Sequence, residues 1–254
     1  MKYATTIAAA ACILLFATAG CKKPAGQGAS ETTASYVQID WNTAGTISGT
    51  IHFSGKMPEP VQIDMAQDPA CSLSPTNFSE QHVGKNGNLQ NVFIYVKDGL
   101  GNKLYPAPST PVVIDQKGCR YTPHVVGTMV GQSVSFTNSD PTMHNIHMLP
   151  TVGGNQTVDI SQPPNGVAES RVFSQPELMI PVRCNNHPWM QAFINVVTNP
   201  FYAVSDADGH FEIKGLPPGT YTVVAVHEVL GQQTAAVTVG SKQTAAQDFT
   251  FAAK

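Results

Sequence analysis

Seven consecutive residues, Cys184-Asn185-Asn186-His187-Pro188-Trp189-Met190, set a thiol, an imidazole and a thioether in a Cys-x2-His-x2-Met run. Forty residues earlier, Pro141-Thr142-Met143-His144-Asn145-Ile146-His147 supplies a second imidazole. If these groups are to meet, two stretches far apart in the chain must lie side by side. A pair of strands does this: one delivers His144, and the loop leaving the other delivers Cys184, His187 and Met190. A loop this short holds its side chains in fixed relation. The chain is thereby constrained towards a β-architecture in which one connection between strands is also a binding site.

The remaining pattern agrees with an all-β chain. No long segment of helical periodicity follows the first twenty-one residues, and Thr/Val alternation recurs between Gly- and Pro-rich turns. Residues 46–53 alternate and then break at Gly55, Pro58 and Pro60, which predicts a strand and a turn. Residues 91–96, NVFIYV, form a continuous apolar run suited to a strand covered on both faces. Between 111 and 198 short strands recur at regular intervals, the signature of a sandwich or barrel. From 201 the pattern changes to strand, tight turn at 206–209, strand, second turn at 216–219, and three further strands. Asp206, Asp208 and Gly209 could suggest a calcium loop, but two carboxylates without a closing Glu read as a turn.

Charged residues make up only 12% of the 254, with a net charge of −3, so no nucleic-acid surface is indicated. The chain opens with Lys2, an apolar stretch over 7–17, and Thr18-Ala19-Gly20-Cys21. The apolar stretch is too short to span a bilayer and reads as an export signal peptide over 1–21. Its end resembles the lipobox of bacterial lipoproteins, with Thr18 where that family usually carries Leu. The resemblance implies a lipid on Cys21, with plain secretion as the alternative. Lys22 and Lys23, with no Asp there, imply the outer membrane of a Gram-negative cell, the lipid being the membrane anchor. Residues 22–35 are small and polar, as expected of a flexible linker. Cys12 leaves with the signal, and in an exported chain the two remaining thiols, Cys71 and Cys119, are expected to form a disulfide. A second metal site built from Cys119 and His124 is the competing reading, and it lacks a third ligand nearby.

One thiolate, two imidazoles and a weak thioether are the donor set of a blue-copper centre that passes electrons. The set is acceptable to both copper(I) and copper(II), so little needs to move when an electron arrives. Zinc takes Cys and His but is a poor partner for Met. A degenerate, metal-free site is the other alternative. Cys184 is flanked by Arg183 and Asn185, and the chain has no His-x-His pair. The second copper centre of an oxidase or nitrite reductase is therefore not expected, and an electron carrier is expected rather than an enzyme. His52, His82, His124, His210 and His227 lack partner spacing and read as ordinary packed or solvated histidines.

The segment over 111–198 resembles the cupredoxins, the amicyanin- and plastocyanin-like blue-copper proteins. Carrying the resemblance are Gly131-Gln132-Ser133-Val134-Ser135-Phe136, the Asn138 loop, His144-Asn145-Ile146-His147 and Cys184-x2-His187-Pro188-Trp189-Met190. It implies a Greek-key sandwich with copper near one end, His144, Cys184 and His187 as equatorial ligands, and Met190 as the axial one. Asn145 would donate its backbone N–H to the Cys184 sulfur and bond across to the ligand loop, and His147 would not be a ligand. Asn186 stands where many relatives carry Pro and keeps an N–H for a second such bond. The outer ring edge of His187 would be exposed among Pro188, Trp189 and Met148, forming a docking patch for redox partner proteins; the alternative for Trp189 is simple packing on the loop.

Residues 206–221, with Asp206-x-Asp208-Gly209, Leu216-Pro217-Pro218-Gly219 and Tyr221, resemble the carboxypeptidase regulatory-like family, a transthyretin-like β-sandwich. The 45–51 strand resembles that family's first strand. The organisation read from these patterns is an N-terminal β region over 36–110, the copper domain over 111–198 and the regulatory-like sandwich over 199–254. The two ends together imply one sandwich with the copper domain inserted, while two or three consecutive β-domains fit the same pattern. A copper-storing or copper-delivering role, or an adhesion module, are the functional alternatives to an electron carrier of the periplasm or cell surface.

Overall fold

The computed structural model describes Met1 and residues 36–74 and 78–253. Cys21, the export signal and the 22–35 linker lie outside the described residues. The described residues are all-β, with no helix among them. The first four strands are β1 (Gly45–Ser54), β2 (Gly84–Lys85), β3 (Asn88–Leu89) and β4 (Phe93–Asp98). Next come β5 (Val112–Gln116), β6 (Tyr121–Thr122), β7 (Val125–Met129), β8 (Ser133–Asn138) and β9 (His144–Met148). They are followed by β10 (Val158–Gln162), β11 (Glu169–Val172), β12 (Glu177–Arg183) and β13 (Gln191–Val197). The chain closes with β14 (Tyr202–Val204), β15 (His210–Leu216), β16 (Gly219–His227), β17 (Gly231–Val239), β18 (Thr244–Ala246) and β19 (Phe249–Ala252).

Strands from both ends of the chain share one sandwich. In its first sheet β1 pairs antiparallel with β15 and β3 and parallel with β18 and β19. The second sheet runs β14-β4-β16-β17, all antiparallel. The alternation of β1 turns Ile47, Ile51 and Phe53 into the space between the sheets, where they meet Phe211, Ile213, Val223, Phe249 and Phe251. The second turn is tied by the Tyr221 hydroxyl, which donates to the Pro217 carbonyl. Asp206 accepts from the backbone N–H groups of Asp208 and His210 with one oxygen, so its carboxylate closes a turn.

The middle of the chain builds a second sandwich. A five-stranded sheet, β10-β9-β12-β13-β7, faces a four-stranded sheet, β11-β8-β5-β6. Between them Ile114, Val134, Phe136, Ile146, Ile180, Val182, Ala192 and Ile194 form a core with no exposed surface. The continuous apolar run in β4 has its explanation here: Ile94 and Val96 face the first core, while Phe93 packs with Val125 and Val197 of the second sandwich. Gly127 in β7 allows this approach, since a Cβ there would stand 2.5 Å from the Tyr202 ring and 2.6 Å from that of Phe93.

The 36–110 region does not stay on one sandwich. The long connection from β1 to β2 places Ile63, Met65 and Cys71 against the second core, where Cys71 is bonded to Cys119 with a Cα–Cα separation of 5.5 Å. The two cysteines are 48 residues apart, and such a link stabilises by about 4 kcal/mol in the chain-entropy model. With its sulfur in that bond, Cys119 is not available for the alternative metal site with His124.

Candidate metal centre

The antiparallel pairing of β9 with β12 sets the site. Val182 stands opposite Met148 and Arg183 opposite His147, so the residue after β12, Cys184, comes level with Ile146 in the middle of β9. The Asn145 backbone N–H donates to the Cys184 sulfur at 3.3 Å. The loop then closes on itself: Met190 N–H donates to the His187 carbonyl at 2.9 Å and Cys184 N–H to the Met190 carbonyl at 3.4 Å. This compact turn leads directly into β13.

Three side chains converge inside it. Ligating atoms of His144, Cys184 and His187 all lie within 4.8 Å of one another, and all three residues are buried. The two imidazoles meet through their Nδ1 atoms at 2.9 Å, and the Cys184 sulfur is 3.5 Å from Nδ1 of His187. Met190 is 1% exposed and belongs to the same core cluster as Cys184. His147 stands outside the group, bonded through Nδ1 to the Asn185 side chain at 2.9 Å.

Each imidazole is held from behind by a carboxylate. Nε2 of His144 donates to Asp140 at 2.9 Å, and Asp140 is itself fixed by the backbone N–H groups of Gly118 at 2.6 Å and Cys119 at 2.7 Å. Nε2 of His187 donates to Asp68 at 3.1 Å, and the Thr142 hydroxyl donates to the same oxygen at 2.7 Å. With both Nε2 atoms committed as donors, the inward Nδ1 atoms are the ones free to bind an ion.

The charges follow from these contacts. Burial alone would lower the His144 pKa, but hydrogen bonds and charge from Asp140 and Cys184 push it up to about 9. Burial would raise the Cys184 thiol, yet the His144 hydrogen bond and the backbone N–H groups of Asn145, Asn186 and His187 hold it below its ordinary value. Burial lowers the His187 pKa, Asp68 opposing and the neighbouring His144 charge adding to the fall. Of the two imidazoles His144 is therefore the more basic, and the thiol beside it is more acidic than an ordinary cysteine.

Three sequence expectations need correction. His187 is only 3% exposed as a residue, because Asp68 and Trp189 cover its ring. Met148 is 1% exposed and lies in the core, since the inward alternation of β9 includes it; it is no part of a docking patch. The Asn145 side chain does not reach the ligand loop directly but bonds to Asp159 and Ser161, and Asn185 reaches the same Asp159. Trp189 is half-buried, its ring 5.2 Å from that of His187 and its indole N–H donating to the Cys119 carbonyl at 3.1 Å, while Pro188 and Asn186 are exposed. Asp68 and Asp140 were not expected. Asp140 was within reach of inspection, four residues before His144; Asp68 becomes visible only once the disulfide three residues later is placed beside the ligand loop.

The sequence model of the carboxypeptidase regulatory-like domain matches residues 184–252. The match starts inside the ligand loop and runs through β19, so its first strand, β13, belongs to the second sandwich. No curated protein sequence matches the chain. Among solved structures, a copper(I) form of an amicyanin mutant is 22% identical with a TM-score of 0.31, covering 34% of this chain and 82% of that one. An oxidised amicyanin mutant is 23% identical with a TM-score of 0.31 over the same shares. The copper-containing nitrite reductase from Thermus scotoductus SA-01 is 20% identical with a TM-score of 0.32, over 55% of this chain and 28% of that one.

Proposed function

We propose that the protein is an exported electron carrier that binds one copper ion through His144, Cys184, His187 and Met190. The reading rests chiefly on one observation: two imidazole Nδ1 atoms and the Cys184 sulfur converge in a buried pocket while both outer ring nitrogens are tied to carboxylates. A thiolate, two neutral imidazoles and a thioether suit copper in both oxidation states and suit zinc poorly, given the Met. Bound there, copper supplies a one-electron couple. The protein's part is to keep the ligands still and to exclude water from them. Hydrogen bonds from the Asn145 and Asn186 N–H groups draw electron density from the sulfur, which favours the reduced state.

The remaining parts of the proposal come from the sequence. Residues 1–21 direct export and Cys21 carries a lipid, leaving the folded part tethered by 22–35 at the periplasmic or outer surface. The partners are redox proteins that dock near Pro188 and exchange single electrons, without catalysis by this chain and without nucleic acid. The pairing of β1 with β15, β18 and β19 supports parsing the chain as one regulatory-like sandwich interrupted by a copper sandwich over 111–198. Loading the purified protein with copper(II) is expected to give an intense thiolate-to-copper absorption near the red end of the visible range, absent in Cys184→Ser. A colourless oxidised sample that binds copper equally well in both proteins rejects the blue-copper reading. It would favour copper delivery or an adhesive role.

A further inference from the structure

Asp68 belongs to no strand of the sandwich that carries the ligands. It lies in the long β1–β2 connection, yet one of its carboxylate oxygens takes a hydrogen bond from Nε2 of His187 at 3.1 Å and another from the Thr142 hydroxyl at 2.7 Å. Thr142 precedes His144 by two residues, so a single oxygen ties together the two loops from which the ligands come. The other oxygen takes the Ala70 N–H at 2.8 Å, and the Asp68 carbonyl takes the N–H groups of Cys71 and Ser72 at 3.0 Å each. This turn is anchored by the Cys71–Cys119 disulfide. The Cys71 sulfur lies within 4.8 Å of the ligating atoms of Asp68 and His187, and the Cys119 sulfur within 4.8 Å of those of Asp140 and His144. The side chain of His187 retains 4% exposure under this cover.

We propose that Asp68 is a positioning residue for His187, and that the disulfide-anchored turn carrying it is a latch that closes the metal centre against exchange. The proposal rests on the metal-binding reading of the site and specifies how the metal is retained. Two physical effects follow from the contacts. Accepting from Nε2–H selects the tautomer whose Nδ1 lone pair faces Cys184 and His144, which a ring free to titrate or flip would populate only part of the time. Bridging His187 to Thr142 also resists the separation of the two ligand loops, the movement by which an ion buried at their junction must leave. A carboxylate behind a metal-bound imidazole is worth about 10- to 100-fold in metal affinity.

The test compares wild type with Asp68→Ala, Asp68→Asn and the Cys71→Ala/Cys119→Ala pair. Long-range proton–nitrogen NMR of the metal-free proteins reads the His187 tautomer, and transfer of copper(I) to an excess of chelator reads the latch. Wild type and Asp68→Asn, which keeps an acceptor oxygen, are expected to show the Nε2–H form and slow release. Asp68→Ala is expected to lose that tautomer preference and release copper at least about tenfold faster. The disulfide variant, with Asp68 intact but its turn untethered, is expected to accelerate release as well, and it decides the latch should Asp68→Ala fail to fold. An unchanged tautomer and unchanged release in the alanine variant, or unchanged release without the disulfide, overturn the proposal. Failure of wild type to bind copper at all would instead sink the metal reading, and the tautomer comparison would still decide the role of Asp68.

Discussion

Around the Cys184 sulfur, charge is set by donors that carry no side-chain chemistry of their own. The backbone N–H groups of Asn145, Asn186 and His187 all act to hold the thiol pKa down, beside the His144 hydrogen bond. Asn186 can contribute only because it is not proline. Asn186→Pro is expected to lower the reduction potential of the copper-loaded protein, since a lost hydrogen bond returns electron density to the sulfur and favours copper(II). Voltammetry checks this, and an unchanged or raised potential contradicts the account. The residues of this site were legible to different degrees. Cys184, His187 and Met190 share one short loop, so local spacing carries them, and His144 is readable from its own short motif. Asp68 is 119 residues from His187, and no local pattern connects them.

Among the elements, β1 has the widest reach. Its ten residues pair with β15, β3, β18 and β19, so it is the seam at which the first and last parts of the chain join. Phe251 in β19 is 1% exposed and packs with Ile47, Ile51 and Phe53 in that core. Phe251→Ala is expected to cost about 3–5 kcal/mol by the cavity it leaves, measured by denaturant unfolding. The strand itself was readable from alternation, as were β8, β12 and β13. The family resemblance placed it in one sandwich with the end of the chain, but its individual partner strands were not readable, because a strand's pairing edge carries main-chain groups that are the same in every sequence. The turn at 206–209 was readable for another reason: Asp206 bonds to N–H groups two and four residues on, a wholly local arrangement. Residues 65–90 carry no regular period, and Cys71 among them is bonded to Cys119, 48 residues further on, where the segment packs on the second core.

At the scale of the whole molecule, the two sandwiches are joined by an apolar contact around Phe93, Val125 and Val197 and by a buried ionic one. His124, just before β7, donates through Nε2 to Glu228 of the β16–β17 turn at 2.7 Å, their side chains 5% and 3% exposed. Its Nδ1 donates to the Gln191 carbonyl at 3.0 Å, and Glu80 stands 3.7 Å away, paired with Arg120. Glu228→Ala leaves buried His124 without its carboxylate partner and is expected to cost about 3 kcal/mol in thermal or chemical unfolding. Burial would lower the His124 pKa, but Glu228 and Glu80 raise it. Its stabilisation is thus complete below the unfolded imidazole value of 6.5 and is lost as pH rises through the folded one. His227, packed near His82 and His124, runs the opposite way. Burial, followed by those two neighbours, lowers its pKa to about 4. The unfolded chain therefore binds the extra proton first, and stability is expected to fall between pH 6.5 and about 4, by up to about 3 kcal/mol. His227→Phe should flatten that limb of a pH-stability curve; an unaltered limb assigns the loss to other groups.

By itself the amino-acid sequence determined the all-β character, the alternating strands and the local ligand loop. Each of these is written in neighbours a few residues apart, through side-chain period, turn chemistry and spacing. Tertiary structure alone decided which strands pair, where the 61–74 connection lies, that Met148 turns inward, and that His187 is roofed by Asp68. These depend on groups brought together across scores of residues by burial of two apolar cores and by one disulfide. Such convergence is a property of the packed chain, and no window along the sequence contains it.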